Sequence, residues 1–242
     1  MNQQLREGLA RRLAWQQAVN DPDREPRNLL PTLPLLRQWQ TQRLTTSFAD
    51  FLATPHMRPA AEFFLSDLYG DRDFSARDRD AARILPLMAR ILPEFLLHAA
   101  SEAIELAVLS HALDLRLAEA LAKRRNPLAA ISVDDYARAY RATRLPRLRR
   151  HQVELILRVG QALDASVHKH GVFKLLKASR LPAKLAGLSE LQGFLERGFT
   201  AFAALGGADE FLSRIRAQEL EVSRRLFANA ADPFAQPNSS SR

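Results

Sequence analysis

The chain has 242 residues, 47% of them hydrophobic and 26% charged, with a formal net charge of +8 and no cysteine. That length buries a substantial core as one domain or two closely packed halves, and the lack of cysteine excludes disulfides, thiolate metal sites, iron–sulfur clusters and cysteine nucleophiles. Nine glycines, three tyrosines and two tryptophans are few for an all-β design, so the composition points to a soluble helical protein with a cytoplasmic address.

The opening segment, MNQQLREGLARRLAWQQ, sets Leu5, Leu9 and Leu13 at helical spacing. It carries Glu7 among its arginines instead of an apolar secretory core, so it reads as the first helix of the mature protein. After a polar loop, DPDREPRN, the spacing resumes with Leu35, Trp39, Leu44, Phe48 and Phe51, and Thr54-Pro55 stops it. Arg58 to Tyr69 predicts a short helix with Gly70 at the left-handed position past its end. Ser75 and Asp78 resemble a capping box for the next helix, which Pro93 breaks or kinks.

From Glu94 to Arg125 apolar residues occupy nearly every face, Leu96, Ala100, Ile104, Val108 and Leu115 among them, which predicts a long central helix surrounded by others. His98, Glu102, Glu105, His111, Asp114 and Arg116 interrupt the run, well short of the roughly 18 apolar residues a bilayer span needs. Asn126-Pro127 ends it. Ser132 with Asp135 predicts a capped helix to Thr143, and Pro146 opens another, with Leu148, Leu155, Val159 and Leu163 as its buried stripe and Gly171 at its end. Shorter helical pieces follow. A helix from Ser189 to Leu205 is closed by Gly206-Gly207, and the last runs from Asp209 to Ala228 with Phe211, Ile215, Val222 and Leu226 on one face. No sustained period-two alternation occurs, and no solenoid-length repeat. The expected architecture is all-α: a single compact multi-helix bundle of about eight to ten helices with a long buried central helix. It covers residues 1–228, and 229–242 are expected to be a disordered tail.

Charge is densest from Phe63 to Asp80, FFLSDLYGDRDFSARDRD, where five aspartates and three arginines surround Gly70. Asp67, Tyr69, Asp71, Arg72, Asp73, Arg77, Asp78 and Asp80 are the candidate binding residues of this turn. Asp71, Asp73 and Ser75 alternate as in a calcium loop, but Ala76 and Ala82 stand where an EF-hand needs glycine and a bidentate glutamate, which excludes that motif. A magnesium-holding pair of Asp67 and Asp71 is opposed by the helix-ending glycine between them. Capping by Asp73 or Ser75, with arginine–carboxylate pairs, explains the composition as an ordered interhelical corner.

This stretch resembles an uncharacterised bacterial family of helical proteins with the signature FFL-x-DLYG-x-RDF-x-x-RD-x-D, matched at Phe63, Phe64, Leu65, Asp67, Leu68, Tyr69, Gly70, Arg72, Asp73, Phe74, Arg77, Asp78 and Asp80. The later segment ELQGFLERGFTAFAALGG, from Glu190 to Gly207, is similar to the same family. The resemblance implies an all-helical domain of unknown function over most of the chain and brings no activity with it.

Two further constellations carry chemistry. His98, Glu102 and Glu105, at i, i+4 and i+7, stack an imidazole and two carboxylates on one face of the central helix. Glu62, His151 and Glu154 would complete a donor set for a transition metal such as iron, manganese or zinc. The di-iron pattern needs Glu-x-x-His on two helices, and the nearest order here, His151-x-x-Glu154, is reversed. A polar strip paired with neighbouring arginines is the competing explanation.

The second is electrostatic: between Lys123 and Lys184 stand 15 lysines and arginines against four acids. Arg138, Arg141 and Arg144 line one ridge, and Lys174 and Lys177 cluster after Gly171, an anion-binding set suited to an acidic macromolecule, whether nucleic acid, lipid or protein. Aromatic interleaving is thin, so base stacking has little support. No G-x-S-x-G, P-loop or G-x-G-x-x-G occurs, and no residue is assigned a catalytic role. The leading expectation is a non-catalytic binding or interaction domain that requires no cofactor; the alternative is a metal-dependent helical-bundle enzyme.

Overall fold

The computed structural model describes residues 3–68, 94–123 and 130–235. Among them are eleven α-helices and no strand. The first group comprises α1 (Gln3–Asn20), α2 (Thr32–Ser47), α3 (Ala49–Ala53) and α4 (Arg58–Phe63). The long α5 (Glu94–Ala122) is followed by α6 (Val133–Ala142), α7 (Pro146–Val167) and two short helices, α8 (Val172–Ala178) and α9 (Arg180–Leu185). The chain closes with α10 (Ser189–Ala203) and α11 (Asp209–Phe227).

Local chemistry sets many of these ends. Ser132 Oγ accepts from the Asp135 backbone N–H at 3.1 Å while the Asp135 carboxylate accepts from the Ser132 N–H at 3.2 Å, the reciprocal capping box expected at the start of α6. Proline occupies the first turn of α4 and of α7, where its missing N–H costs nothing. Gly206 and Gly207, at φ 68 and 143, turn the chain between α10 and α11 in a region side chains disfavour.

α5 is the spine, with α1, α2, α6 and α7 packed on it. Its enclosure is deepest from Val108 onward, where Leu113, Leu115, Leu117 and Ala118 lie on several faces and are all buried, whereas Glu94 and His98 are exposed. One core cluster joins α1, α2, α5, α6 and the end of α11. A second joins α3, α4, α7, α10 and the start of α11 around phenylalanines, with Phe211 edge-on to Phe51 and Phe64 at ring separations of 5.0 and 5.5 Å. By length and composition α5 is also the one described helix apolar enough to cross a membrane. Its Glu102 and Glu105, however, are ion-paired to Arg158 of α7 and Arg12 of α1, as in a bundle core.

Two features depart from expectation, and a third had no expectation to meet. The helix beginning at Arg58 gives way after Phe63 to a π-helical turn, Phe64–Leu68, where Asp67 is drawn inward to Arg197 of α10. Residues 229–235 are not a loose tail: Pro233 is buried, and Phe234 packs edge-on to Trp39 at 5.6 Å and lies beside Tyr136. An apolar ring finding an aromatic groove explains that docking. Finally, α8 and α9 contain no buried residue at all.

Candidate functional site

Of the Asp/Arg turn, Asp67 lies within the described residues. It is buried, and Arg197 donates to its Oδ1 from Nε at 2.9 Å and Nη2 at 2.6 Å while Ser66 donates to Oδ2 at 2.7 Å. That carboxylate ties the π turn to α10 through a distant arginine, not one of the turn's own. Tyr69, Asp71, Arg72, Asp73, Arg77, Asp78 and Asp80 lie outside the described residues.

The spacing of His98, Glu102 and Glu105 places them on α5 as expected, but their partners draw them apart. Glu102 accepts from Arg158 at 2.9 Å. Glu105 accepts from Arg12 through Nε at 2.9 Å and Nη2 at 2.6 Å, and lies 3.0 Å from His151 Nε2. Burial pushes the Glu105 carboxyl up, yet the bonds from His151 and Arg12 outweigh it and hold the group below its ordinary range. His98 is exposed, 3.8 Å from Glu94, Glu62 is exposed, and Glu154 on α7 makes no bond to either glutamate. Glu105 and His151 are thus the one pair of the six that meets. Among the described residues no three His, Asp or Glu side chains are placed to hold a metal ion.

The basic segment divides in a similar way. Arg138 is bonded to Asp135 at 2.8 Å, and Arg141 donates to the Leu226 carbonyl at 3.3 Å, at the C-terminal end of α11. Arg144, exposed in a left-handed turn at φ 54, has no such tie among the described residues. α6 packs on α5 and α11, whereas α8 packs on α7 and α10, so the arginine ridge and the lysine cluster belong to different parts of the bundle.

The lysine cluster is the more distinctive. Lys174 is exposed with no carboxylate partner among the described residues, and Lys177 sits 4.2 Å above the Phe173 ring. Phe173 in turn stacks on Phe199 of α10 at 5.3 Å, which anchors α8 to the bundle. Arg180 at the head of α9 is clamped by Glu196, whose carboxyl the hydrogen bonds from Arg180 and Gln192 hold down to about 2. Beyond those anchors the surface is bare. Leu175, Leu181 and Leu185 are 55%, 66% and 81% exposed, the last two at i, i+4 on one face of α9. No acid occurs between Asp164 and Glu190, while Lys169, Lys174, Lys177, Arg180 and Lys184 all do.

The leucines were not among the residues singled out by charge. A signal for them was present: the chain has five lysines among its 35 basic residues, and four of the five fall from Lys169 to Lys184, interleaved with leucines. A family model described as Domain of unknown function (DUF8198) matches residues 20–233. No curated protein and no solved structure matches the chain.

Proposed function

Because the chain belongs to the family Domain of unknown function (DUF8198), whose description names no activity, we propose from its surface that it is a non-catalytic, cytoplasmic binding domain. Its α8–α9 corner docks on anionic lipid headgroups. The observation that carries this reading is the coincidence, on two helices with no buried residue, of three strongly exposed leucines and a run of cations free of acids. Headgroup phosphates attract each nearby Lys or Arg by about 1 kcal/mol, and a leucine taken fully out of water adds about 1.5–3 kcal/mol. Together they offset the entropy of holding the domain at a surface. A nucleic acid would use the cations but not the leucines, and the one aromatic ring of the patch, Phe173, is already stacked on Phe199. The bacterial origin suggested by the signature fits a membrane whose cytoplasmic face is anionic.

Flotation of the full chain with vesicles tests it. Vesicles of phosphatidylcholine with phosphatidylglycerol should carry the protein at low salt, and pure phosphatidylcholine should not. Leu181→Gln with Leu185→Gln, and separately Lys174→Gln with Lys177→Gln, should each release it; all four sites are exposed, so folding should change by less than about 0.5 kcal/mol. Binding that ignores the leucines, or retention on heparin or on an acidic protein with none on anionic vesicles, would defeat the lipid reading.

A further inference from the structure

Away from that corner, α2, α6, α7 and α11 enclose a cavity of about 50 Å³ lined by Arg43, Arg149, Tyr140, Gln152, Glu219 and Ser223, with Tyr136 and apolar Val153, Val222 and Leu226 completing it. Buried charge at such a place is normally neutralised. Here the neutralisation is incomplete. Glu219 accepts from Arg43 Nη2 at 2.9 Å and Nη1 at 3.3 Å, which accounts for one guanidinium. Arg149 is 6% exposed and pairs with no carboxylate among the described residues; its Nη1 donates to Gln152 at 3.1 Å. Arg149 Nε, Arg149 Nη2 and Arg43 Nε are buried with no hydrogen-bond partner among the described residues.

The lining therefore carries two guanidiniums and one carboxylate, a net charge of +1. Asp114, the next carboxylate felt by Tyr136, is not part of the lining and accepts from Gln40 at 3.0 Å. Both guanidinium planes are held in place: Arg149 lies 4.7 Å over the Tyr140 ring, and Arg43 lies 5.1 Å over the ring of Phe234. The Tyr140 hydroxyl donates to Ser223 Oγ at 3.0 Å, so the hydroxyls are ordered as well. The unsatisfied Nε–Nη2 fork of Arg149 and the single Nε–H of Arg43, with one surplus positive charge, are complementary to a small planar monoanion. The volume suits the carboxylate of a very short acid, with the valines and Leu226 against its carbon end, and is too small for a nucleotide or sugar phosphate.

We propose that this cavity is a binding site for a short-chain carboxylate of formate or acetate size, gripped by the free N–H groups of Arg149 and Arg43. It is independent of the lipid-docking corner, since neither α8 nor α9 contributes to it.

Calorimetric titration of the full chain at constant ionic strength decides the matter, with sodium formate and sodium acetate as probes and inorganic phosphate as the comparison. Formate or acetate should bind saturably, with a Kd on the order of millimolar or tighter, and phosphate should not. Arg149→Met should abolish the heat. Arg149→Lys, which keeps the charge but loses the planar fork, should weaken binding by about tenfold, and it decides the question if the methionine variant does not fold. No saturable binding of either carboxylate, phosphate binding as tightly as acetate, or unchanged affinity in a folded Arg149 variant overturns the assignment.

Discussion

Gly193 and Gly198 stand on the same helix, α10, and the same substitution should shift stability in opposite directions at the two. A Cβ on Gly198 would lie 2.7 Å from Phe63 Cζ and 3.2 and 3.3 Å from its two Cε atoms, where carbon atoms rest at about 3.5–4.0 Å. The ring would have to retreat by about 1 Å to restore that contact. Phe63 is buried and packed against Phe194 at 5.4 Å, so the movement propagates into the phenylalanine core. Overpacking of this kind costs about 1–3 kcal/mol, while alanine in place of glycine inside a helix gains about 1 kcal/mol. Gly198→Ala should therefore lose roughly 1 kcal/mol net. At Gly193 the new Cβ meets the Nη1 end of Arg197 at 3.0 Å, the half-exposed tip not bonded to Asp67, which needs to give by only a few tenths of an ångström while Nε and Nη2 keep their bonds. Gly193→Ala should gain about 0.5–1 kcal/mol. Urea unfolding followed by circular dichroism reads both as midpoint shifts at constant slope, and Phe63→Leu should relieve much of the Gly198→Ala loss. A rise in midpoint for Gly198→Ala, or shifts of the same sign, would refute the close α4–α10 approach.

Other outcomes follow from the charged and aromatic groups. Hydrogen bonds from Arg224 and Arg225 hold the Glu221 carboxyl down to about 2, Arg180 and Gln192 do the same at Glu196, and Glu105 is also lowered. Depressed carboxyls stabilise the fold above their unfolded value of about 4.3 and cease to do so as pH falls through the folded value. The urea midpoint should thus be flat from about pH 7 to 5 and fall steadily toward pH 2, less steeply in Glu105→Gln; a pH-independent midpoint would contradict the pairs. Burial pushes the Tyr136 phenol up to about 12, so Tyr136→Phe should remove an ultraviolet absorbance transition near that pH, and loss of one near 10 would contradict its burial. Stability that depends on that raised group is lost as pH rises through the folded value. Asp67→Asn removes the charge of a buried carboxylate bonded to a half-exposed arginine, and should cost about 1–3 kcal/mol in the same urea assay; an unchanged midpoint would deny the pair a structural role.

How much of this was legible beforehand depends on the range over which each signal acts. Caps and breakers act within four residues, so Ser132 with Asp135, Pro146 and Gly206-Gly207 marked their helix ends correctly. The spine was legible because apolar residues on all faces leave it nowhere to go but inside. The π turn at Phe64–Leu68 has no such local signature, since it answers to Arg197, 130 residues away. The docking of Phe234 against Trp39 and Tyr136 is likewise a tertiary event that a polar, proline-containing tail does not announce. The same limit applies to His98, Glu102 and Glu105: helical spacing settles which face they share, but not that Arg12, from 93 residues away, meets Glu105 there. Arg43 and Arg149 passed unnoticed for the same reason, because α2 and α7 converge only in the folded chain.

The net charge of +8 is therefore a poor guide to where this protein is positive. Arginines make up most of the basic residues, and many are engaged: Arg12, Arg27, Arg43, Arg158, Arg180, Arg197, Arg224 and Arg225 all hold carboxylates. Their forked, planar donors suit fixed pairing between helices, and each such pair cancels its own field beyond a few ångströms. Lysine, a compact and strongly hydrated charge on a flexible stem, suits an interface whose partner has no fixed geometry. Two of the lysines near the corner rest on aromatic rings, Lys169 over Phe95 and Lys177 over Phe173, a contact that positions a cation without neutralising it. On the proposed reading the uncancelled field concentrates at α8–α9, beside three of the four most exposed leucines among the described residues. If that division of labour holds, converting Lys169, Lys174, Lys177 and Lys184 to glutamine should abolish salt-sensitive adsorption to anionic vesicles although about 30 arginines remain. Removing exposed arginines such as Arg147 and Arg150 should leave it nearly intact. Equal losses in the two sets would mean that total charge governs adsorption and that the corner is not a docking site.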